Sequence, residues 1–266
     1  MNSHLLSKEI RKLSLEMVHN SNASHIGSAL SMVDILAVLY NNILNYDSNN
    51  PNWEERDKLI LSKGHSCVSL YAVLGLKNFF DIDLLKTYGK NGSNFMNHIS
   101  HKVPGVEFST GSLGHGLPYA TGIALGNKLK GLESKVYVIL GDGELAEGSN
   151  WEALLFASHH KLSNLVIIID NNNLQSLTTV DETLNLESYR EKFEAFGCNV
   201  VNLDGHDHKE LVVAFSSKNL TSKPLVVIAK TTKGKGVSFM ENQVKWHYKS
   251  PNIEELSIAI KEINNA

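Results

Sequence analysis

Two short, wholly apolar runs, Val136–Leu140 and Leu165–Ile169, each break off at a cluster of small, acidic and amide residues. The first ends in Gly141-Asp142-Gly143 and the second in Asp170-Asn171-Asn172. A strand this short with no polar residue must be covered on both faces, as strands are in parallel sheets flanked by helices. Between the runs, Glu147–Leu162 has the spacing of a helix, so the unit reads strand, turn, helix, strand.

The same alternation extends along the chain. Leu5, Leu6, Ile10, Leu13, Met17 and Val18 fall mostly at helical spacing and predict a first helix over about 3–20. Ser31 followed by Asp34 reads as an N-cap with its third-position acid, which predicts a second helix through Leu44. Lys58–Leu61 reads as a short strand ending in Ser62-Lys63-Gly64-His65, with a helix behind it. Further helices are expected near 187–196 and 207–217, strands at Asn199–Val201 and Leu225–Ala229, and a final helix from about Ile253. No linker or repeat divides the chain. The expected fold class is α/β, a doubly wound, mainly parallel sheet with helices on both faces, as a single domain over 1–266. Ligands of such sheets bind beyond the carboxyl ends of the strands, where the polar motifs lie.

Composition removes several function classes. The formal net charge is −3 and no basic run exceeds Lys233–Lys235, so no nucleic-acid partner is expected. No stretch approaches the roughly 20 apolar residues that cross a bilayer. The first twenty residues carry Lys8, Glu9, Arg11, Lys12 and Glu16 in an amphipathic pattern unlike a signal peptide. Cys67 and Cys198, far apart, read as free thiols in a reducing compartment, and the cytoplasm is the expected location.

The glycines of Gly141-Asp142-Gly143 permit a tight turn and let backbone N–H groups approach a ligand. A helix start behind them favours an anion. Asp142 alone would repel a phosphate, so an aspartate beside a diphosphate implies a divalent cation between them. Asn172, thirty positions on, would lie beside Asp142 if the two strands are parallel neighbours. A carboxylate, an amide oxygen and a loop carbonyl are hard donors that suit Mg²⁺ or Ca²⁺, with diphosphate oxygens and a water completing the shell.

The whole stretch, GDGELAEGSNWEALLFASHHKLSNLVIIIDNNN, resembles the thiamine diphosphate site of transketolases. The resemblance implies that Asp142 and Asn172 bind the metal through side chains, Leu174 through its carbonyl, and that the Gly143 N–H meets the diphosphate. It covers most of the chain. Ser24-His25-Ile26-Gly27 resembles the early histidine motif near the thiazolium, although Ser24 and Ile26 stand where the family more often has Gly and Pro. Leu61–His65 resembles a second motif, whose histidine, His65, contacts the diphosphate. His98, six residues before Pro104-Gly105-Val106-Glu107, is similar to the family's substrate-side histidine. Thr110–Gly116 resembles the glycine loop on the cofactor, with Gly114 and His115 as contacts. Lys233–Val237 and Lys245-Trp246-His247 resemble the last histidine motif, where His247 reaches diphosphate and substrate. Glu147 resembles a glutamate that joins two active sites across the dimer. His101, His159, His160, His206 and His208 have no place in these motifs and are expected to be surface, capping or packing residues.

The resemblance implies an enzyme that moves a two-carbon ketol unit from a ketose or ketose phosphate to an aldose. The cofactor supplies the carbanion chemistry, and His25, His98 and His247 are the candidate acid–base groups. A glutamate on a separate pyrimidine-binding domain completes such sites, and the expectation is that this domain and the C-terminal domain lie on a second polypeptide in an α₂β₂ assembly. Alternatives are the α subunit of a 2-oxo acid dehydrogenase-type enzyme, a deoxyxylulose-phosphate synthase, and a thiamine diphosphate-binding subunit without turnover. A dinucleotide enzyme is disfavoured because Gly111, Gly114 and Gly116 have the spacing G-x-x-G-x-G instead of G-x-G-x-x-G.

Overall fold

The computed structural model describes residues 1–217 and 221–265. Strands β1 (Lys58–Leu61), β2 (Val136–Gly141), β3 (Leu165–Asn171), β4 (Asn199–Asp204) and β5 (Leu225–Lys230) form a parallel sheet in the order β1-β2-β3-β5-β4. β2 runs beside β3 from Val136 opposite Leu165 to Gly141 opposite Asp170. β5 covers the other side of β3, from Leu225 opposite Val166 to Lys230 opposite Asn171.

The apolar runs within β2 and β3 have a direct cause. Tyr137, Ile139, Val166 and Ile168 enter one hydrophobic core. Helices α1 (Ser3–Ser21), α3 (Val33–Val38), α4 (Cys67–Leu76), α9 (His208–Ser216) and α10 (Ile253–Asn265) pack into the same core. Val136, Val138, Leu140, Leu165, Ile167 and Ile169 enter a second core against α5 (Gly116–Leu129), α6 (Gly148–His159) and α8 (Tyr189–Ala195). Successive side chains point to opposite faces, and both faces are covered. This is the doubly wound α/β architecture read from the sequence.

Two local expectations change. The helix expected from Ser31 to Leu44 is divided: α2 (Ile26–Ser31) ends at Ser31, α3 follows, and a π-helical turn spans Leu39–Ile43. Ser31 is not a cap. Its hydroxyl donates to Asp170, 139 positions away, at 2.5 Å, and the same oxygen lies 2.9 Å from the Ser28 carbonyl. Asp34 does not bond the helix start either, because Arg11, His206 and His208 take its carboxylate. The helix expected over Glu147–Leu162 is shorter, Gly148–His159, and a separate 3₁₀ turn at Gly143–Ala146 stands between β2 and α6. Helix α7 (Val180–Leu184) lies in the β3–β4 connection. No helix among the described residues is long and apolar enough to cross a membrane. Cys67 and Cys198 are free and buried, as expected.

Candidate functional site

The carboxyl ends of β1, β2, β3 and β5 open onto one cavity of about 280 Å³. Residues after β1 bring Lys63 and His65, those after β2 bring Asp142, those after β3 bring Asn172 and Leu174, and the segment after β5 brings Lys233. His25, at the entry to α2, His98, in the irregular segment after α4, and His247, in a 3₁₀ turn, also line it.

Asp142 and Asn172 lie side by side because β2 and β3 are neighbours in register. Asp142, 3% exposed, accepts N–H groups from Gly143 at 2.8 Å, Asn172 at 2.9 Å and Asn173 at 2.5 Å. Burial first, and repulsion by Asp170 second, push its carboxyl up to about 6. The Asn172 amide oxygen accepts from the Leu174 N–H at 3.1 Å. The Leu174 carbonyl accepts from the Lys233 ammonium at 3.2 Å. Among the described residues no three His, Cys, Asp or Glu side chains gather as a metal cage. One carboxylate with neutral oxygens instead fits a hard cation that keeps phosphate and water ligands, as Mg²⁺ does. A cation beside Asp142 would also favour the ionised form that burial disfavours.

Two buried lysines face the same space. Lys63, 3% exposed, donates to the Ser28 carbonyl at 2.8 Å and pairs with Asp170, which is fully buried. Burial would raise the Asp170 carboxyl, but Lys63 and the Ser31 and Thr231 hydroxyls hold it below its ordinary value. Lys233, 1% exposed, donates to the Gln175 carbonyl at 2.6 Å and lies 3.3 Å from His247 Nδ1. Burial, then repulsion by Lys63, lowers it to about 8. With the Lys63 charge offset by Asp170, the Lys233 ammonium is the cation placed to meet an anion in this cavity.

Four of the predicted histidines meet. The His25 ring centroid lies 5.0 Å from that of His65, 5.9 Å from His98 and 4.9 Å from His247. His25 holds a left-handed φ of 74°, uncommon for a side chain with a Cβ, fixed by its N–H on the His247 carbonyl at 2.7 Å. Burial first, then His98 and Lys233, lower His25 to about 4. Burial, then Lys233 and His25, lower His247 to about 3. Burial and Lys63 hold His65 well below the ordinary value. His25, His65 and His247 are therefore neutral at neutral pH and can both donate and accept protons. A base with a depressed folded pKa contributes stability above its unfolded value, 6.5, and loses it as pH falls toward 4. Histidine-selective NMR should find His25 and His247 titrating at about 4 and about 3. The thermal midpoint should fall between pH 6.5 and 4. Folded-state midpoints near 6.5 for either ring would contradict this.

Three predicted residues lie outside the cavity lining. Gly114 is buried, with its N–H on the Glu144 carboxylate at 2.9 Å. Its carbonyl accepts from Ser149 at 2.6 Å. His115 is exposed, with Nδ1 on the Leu113 carbonyl at 2.9 Å. Glu147 is exposed at the start of α6. The Gly143 N–H, predicted to meet a diphosphate, is on Asp142. Sequence reasoning passed over Lys63, Lys233, Ser28, Glu144 and Asp170 as site residues. The signal for the two lysines was present, since each lies inside one of the motifs, beside a histidine or a glycine turn, but charge alone does not reveal burial. Of the remaining histidines, His101 pairs with Ser109 and His159 and His160 meet edge to face at a helix end, while His206 and His208 bind Asp34.

Residues 2–261 match the family model for "Transketolase, thiamine diphosphate binding domain". The chain is 40% identical over 261 residues to an apulose-4-phosphate transketolase subunit of Phocaeicola vulgatus, covering 98% of this chain and 93% of that one. It is 39% identical over 256 residues to the 6-deoxy-6-sulfo-D-fructose transketolase subunit SqwG of a Clostridium species, covering 96% and 93%. Its structure matches that of a transketolase from Campylobacter jejuni with a TM-score of 0.94 at 33% identity, over 99% of this chain and 43% of the longer one. The chain thus spans nearly the full length of the subunits it resembles and less than half of the longer transketolase. Sequence, fold and cavity agree along almost the whole length, and the chain belongs to the transketolase family.

Proposed function

We propose that this chain is the cofactor-binding subunit of a two-component transketolase, transferring a two-carbon ketol unit from a ketose phosphate to an aldose. One observation carries the reading: four histidines from separate segments meet Asp142, Asn172 and two buried lysines in a single cavity. The chain acts as one thiamine diphosphate- and metal-binding domain over 1–266. A second polypeptide with the pyrimidine-binding and C-terminal domains completes the site, in an α₂β₂ assembly. Relatives of matching length are themselves named as subunits of transketolases, which supports that partner. The free thiols suit the cytoplasm.

When bound, thiamine diphosphate supplies the electron sink that lets a ketose carbon–carbon bond break and re-form. Asp142 and Asn172 hold Mg²⁺ or Ca²⁺ through side-chain oxygens and Leu174 through its carbonyl. Asn172, His65 and His247 face the diphosphate, Gly143 lines the same cavity with its N–H held by Asp142, and Lys233 balances the anion's charge while Lys63 stays paired with Asp170. Gly114 and His115 border the cofactor from the turn before α5. His25, His98 and His247 take protons from the sugar hydroxyls and return them. Glu147 lies at the interface between protomers.

The test is an assay of ketol transfer by the purified chain, alone and with a co-encoded pyrimidine-domain polypeptide, in thiamine diphosphate and Mg²⁺. Turnover is expected only from the mixture. Full turnover by the chain alone would remove the two-component reading.

A further inference from the structure

Lys233 stands on the segment Thr231–Gly236, which has no regular secondary structure. That segment is nevertheless held at several points. The Thr231 hydroxyl donates to Asp170, and the Gly234 N–H donates to the Gly27 carbonyl at 2.9 Å. The Thr232 N–H donates to His206 Nε2 at 2.9 Å. The Lys235 carbonyl accepts from Arg11 Nε at 3.0 Å.

The last two anchors converge on Asp34, which lies outside the cofactor cavity. Its Oδ2 accepts from His206 Nδ1 at 2.8 Å and from Arg11 Nη2 at 2.6 Å. Its Oδ1 accepts from Arg11 Nη1 and from His208 Nε2, both at 3.1 Å. The His206 tautomer follows from its partners. A backbone N–H can only donate, so Nε2 carries no proton and the ring proton sits on Nδ1 against the carboxylate. Carboxylate–imidazole pairs of this kind fix ring orientation in metal sites. Here the oriented nitrogen holds a backbone amide one residue before Lys233.

The segment has little freedom to find another path. Gly234 has φ +80, and a Cβ added there would lie 2.4 Å from the Met240 carbonyl oxygen. The Lys233 carbonyl is tied to the Asn242 N–H at 2.9 Å. A flexible lysine stem is costly to order, so a fixed main chain makes its ammonium a pre-organised group.

We propose that Asp34 and His206 are positioning residues, whose relay to the Thr232 amide, with Arg11 on Lys235, sets the segment that delivers Lys233 to the diphosphate end of the site. This rests on the reading of the cavity as a thiamine diphosphate site. Asp34 and His206 touch neither cofactor nor substrate and act through the main chain.

The variants His206→Gln and His206→Asn separate this role from simple packing. Glutamine can place its amide oxygen near the Nε2 position and keep the Thr232 bond. Asparagine is too short and keeps only a donor toward Asp34. Thiamine diphosphate is titrated with Mg²⁺ by calorimetry into the full chain, alone and with its partner polypeptide, and thermal midpoints are recorded without cofactor. The expected result is about tenfold weaker binding for His206→Asn, the loss of one hydrogen bond, with His206→Gln near wild type. The two midpoints should agree. Equal affinities for wild type and His206→Asn would overturn the relay while leaving the cofactor site standing. Wild-type protein that takes up no thiamine diphosphate would overturn the reading of the cavity and the relay with it. Nitrogen-15 NMR of the wild-type histidines gives a check that needs no variant: His206 must carry its proton on Nδ1, and an Nε2-protonated ring would overturn the proposal.

Discussion

Asp170→Ala should lower the free energy of unfolding by about 3–5 kcal/mol, the range for breaking one side of a buried ion pair. Asp170 is fully buried, and its carboxylate accepts from Lys63 and from the Ser31 and Thr231 hydroxyls. Removing it strands the Lys63 ammonium in a low-dielectric interior with the Ser28 carbonyl and the Ser31 hydroxyl within reach. The lost atoms leave a small cavity, so the uncompensated charge dominates the cost. The effect has a defined pH dependence. The folded carboxyl sits below its ordinary 3.8, so the stability it contributes is complete above that value and lost as pH falls through the folded pKa. The deficit should therefore be full at neutral pH and shrink below 3.8. Urea unfolding of wild type, Asp170→Ala and the double variant Lys63→Met with Asp170→Ala measures it. The double variant should recover much of the loss, because it removes the stranded charge. A deficit below about 1 kcal/mol for the single variant would show that Lys63 finds other compensation.

Asp142→Ala should abolish Mg²⁺-dependent binding of thiamine diphosphate, with affinity falling on the order of a hundredfold or more. Asp142 is the one carboxylate in a donor set otherwise made of neutral oxygens, so its removal takes away the formal charge that attracts the cation. It also frees three backbone N–H groups, those of Gly143, Asn172 and Asn173, which shape the two strand ends. Ligand-induced stabilisation separates the two consequences. Wild-type protein should melt higher when thiamine diphosphate and Mg²⁺ are added together, and the variant should show no rise. A variant that still binds cofactor in a Mg²⁺-dependent way would take the metal assignment away from Asp142.

Much of this site is legible in the chain itself. The strand ends at Gly141 and Asn171 follow from apolar runs that stop at polar turns, and such stops are local chemistry. His25, His65, His98 and His247 stand out by their motifs, and the other three rings lie within 6 Å of His25. Where the reading failed, a side chain was taken by a partner remote in sequence. Ser31 and Asp34 have the types and spacing of a helix cap, but Asp170 claims the hydroxyl and Arg11, His206 and His208 claim the carboxylate. His206 and His208 looked like ordinary polar residues for the same reason.

Hydrophobic periodicity, turn residues and the strand–turn–helix order are properties of neighbours in the chain, so the sequence by itself determined a doubly wound sheet with its ligand groups at the strand ends. It did not determine which strand ends abut. The sheet places β5 beside β3 and sends β4 to the edge. That order brings Lys233 onto the carbonyls of Leu174 and Gln175, 59 and 58 positions away, and Lys63 onto Asp170, 107 away. Burial and pairing of those charges depend on distances that only the packed sheet defines. The electrostatics of the site, and the Asp34 relay behind it, belong to the tertiary structure.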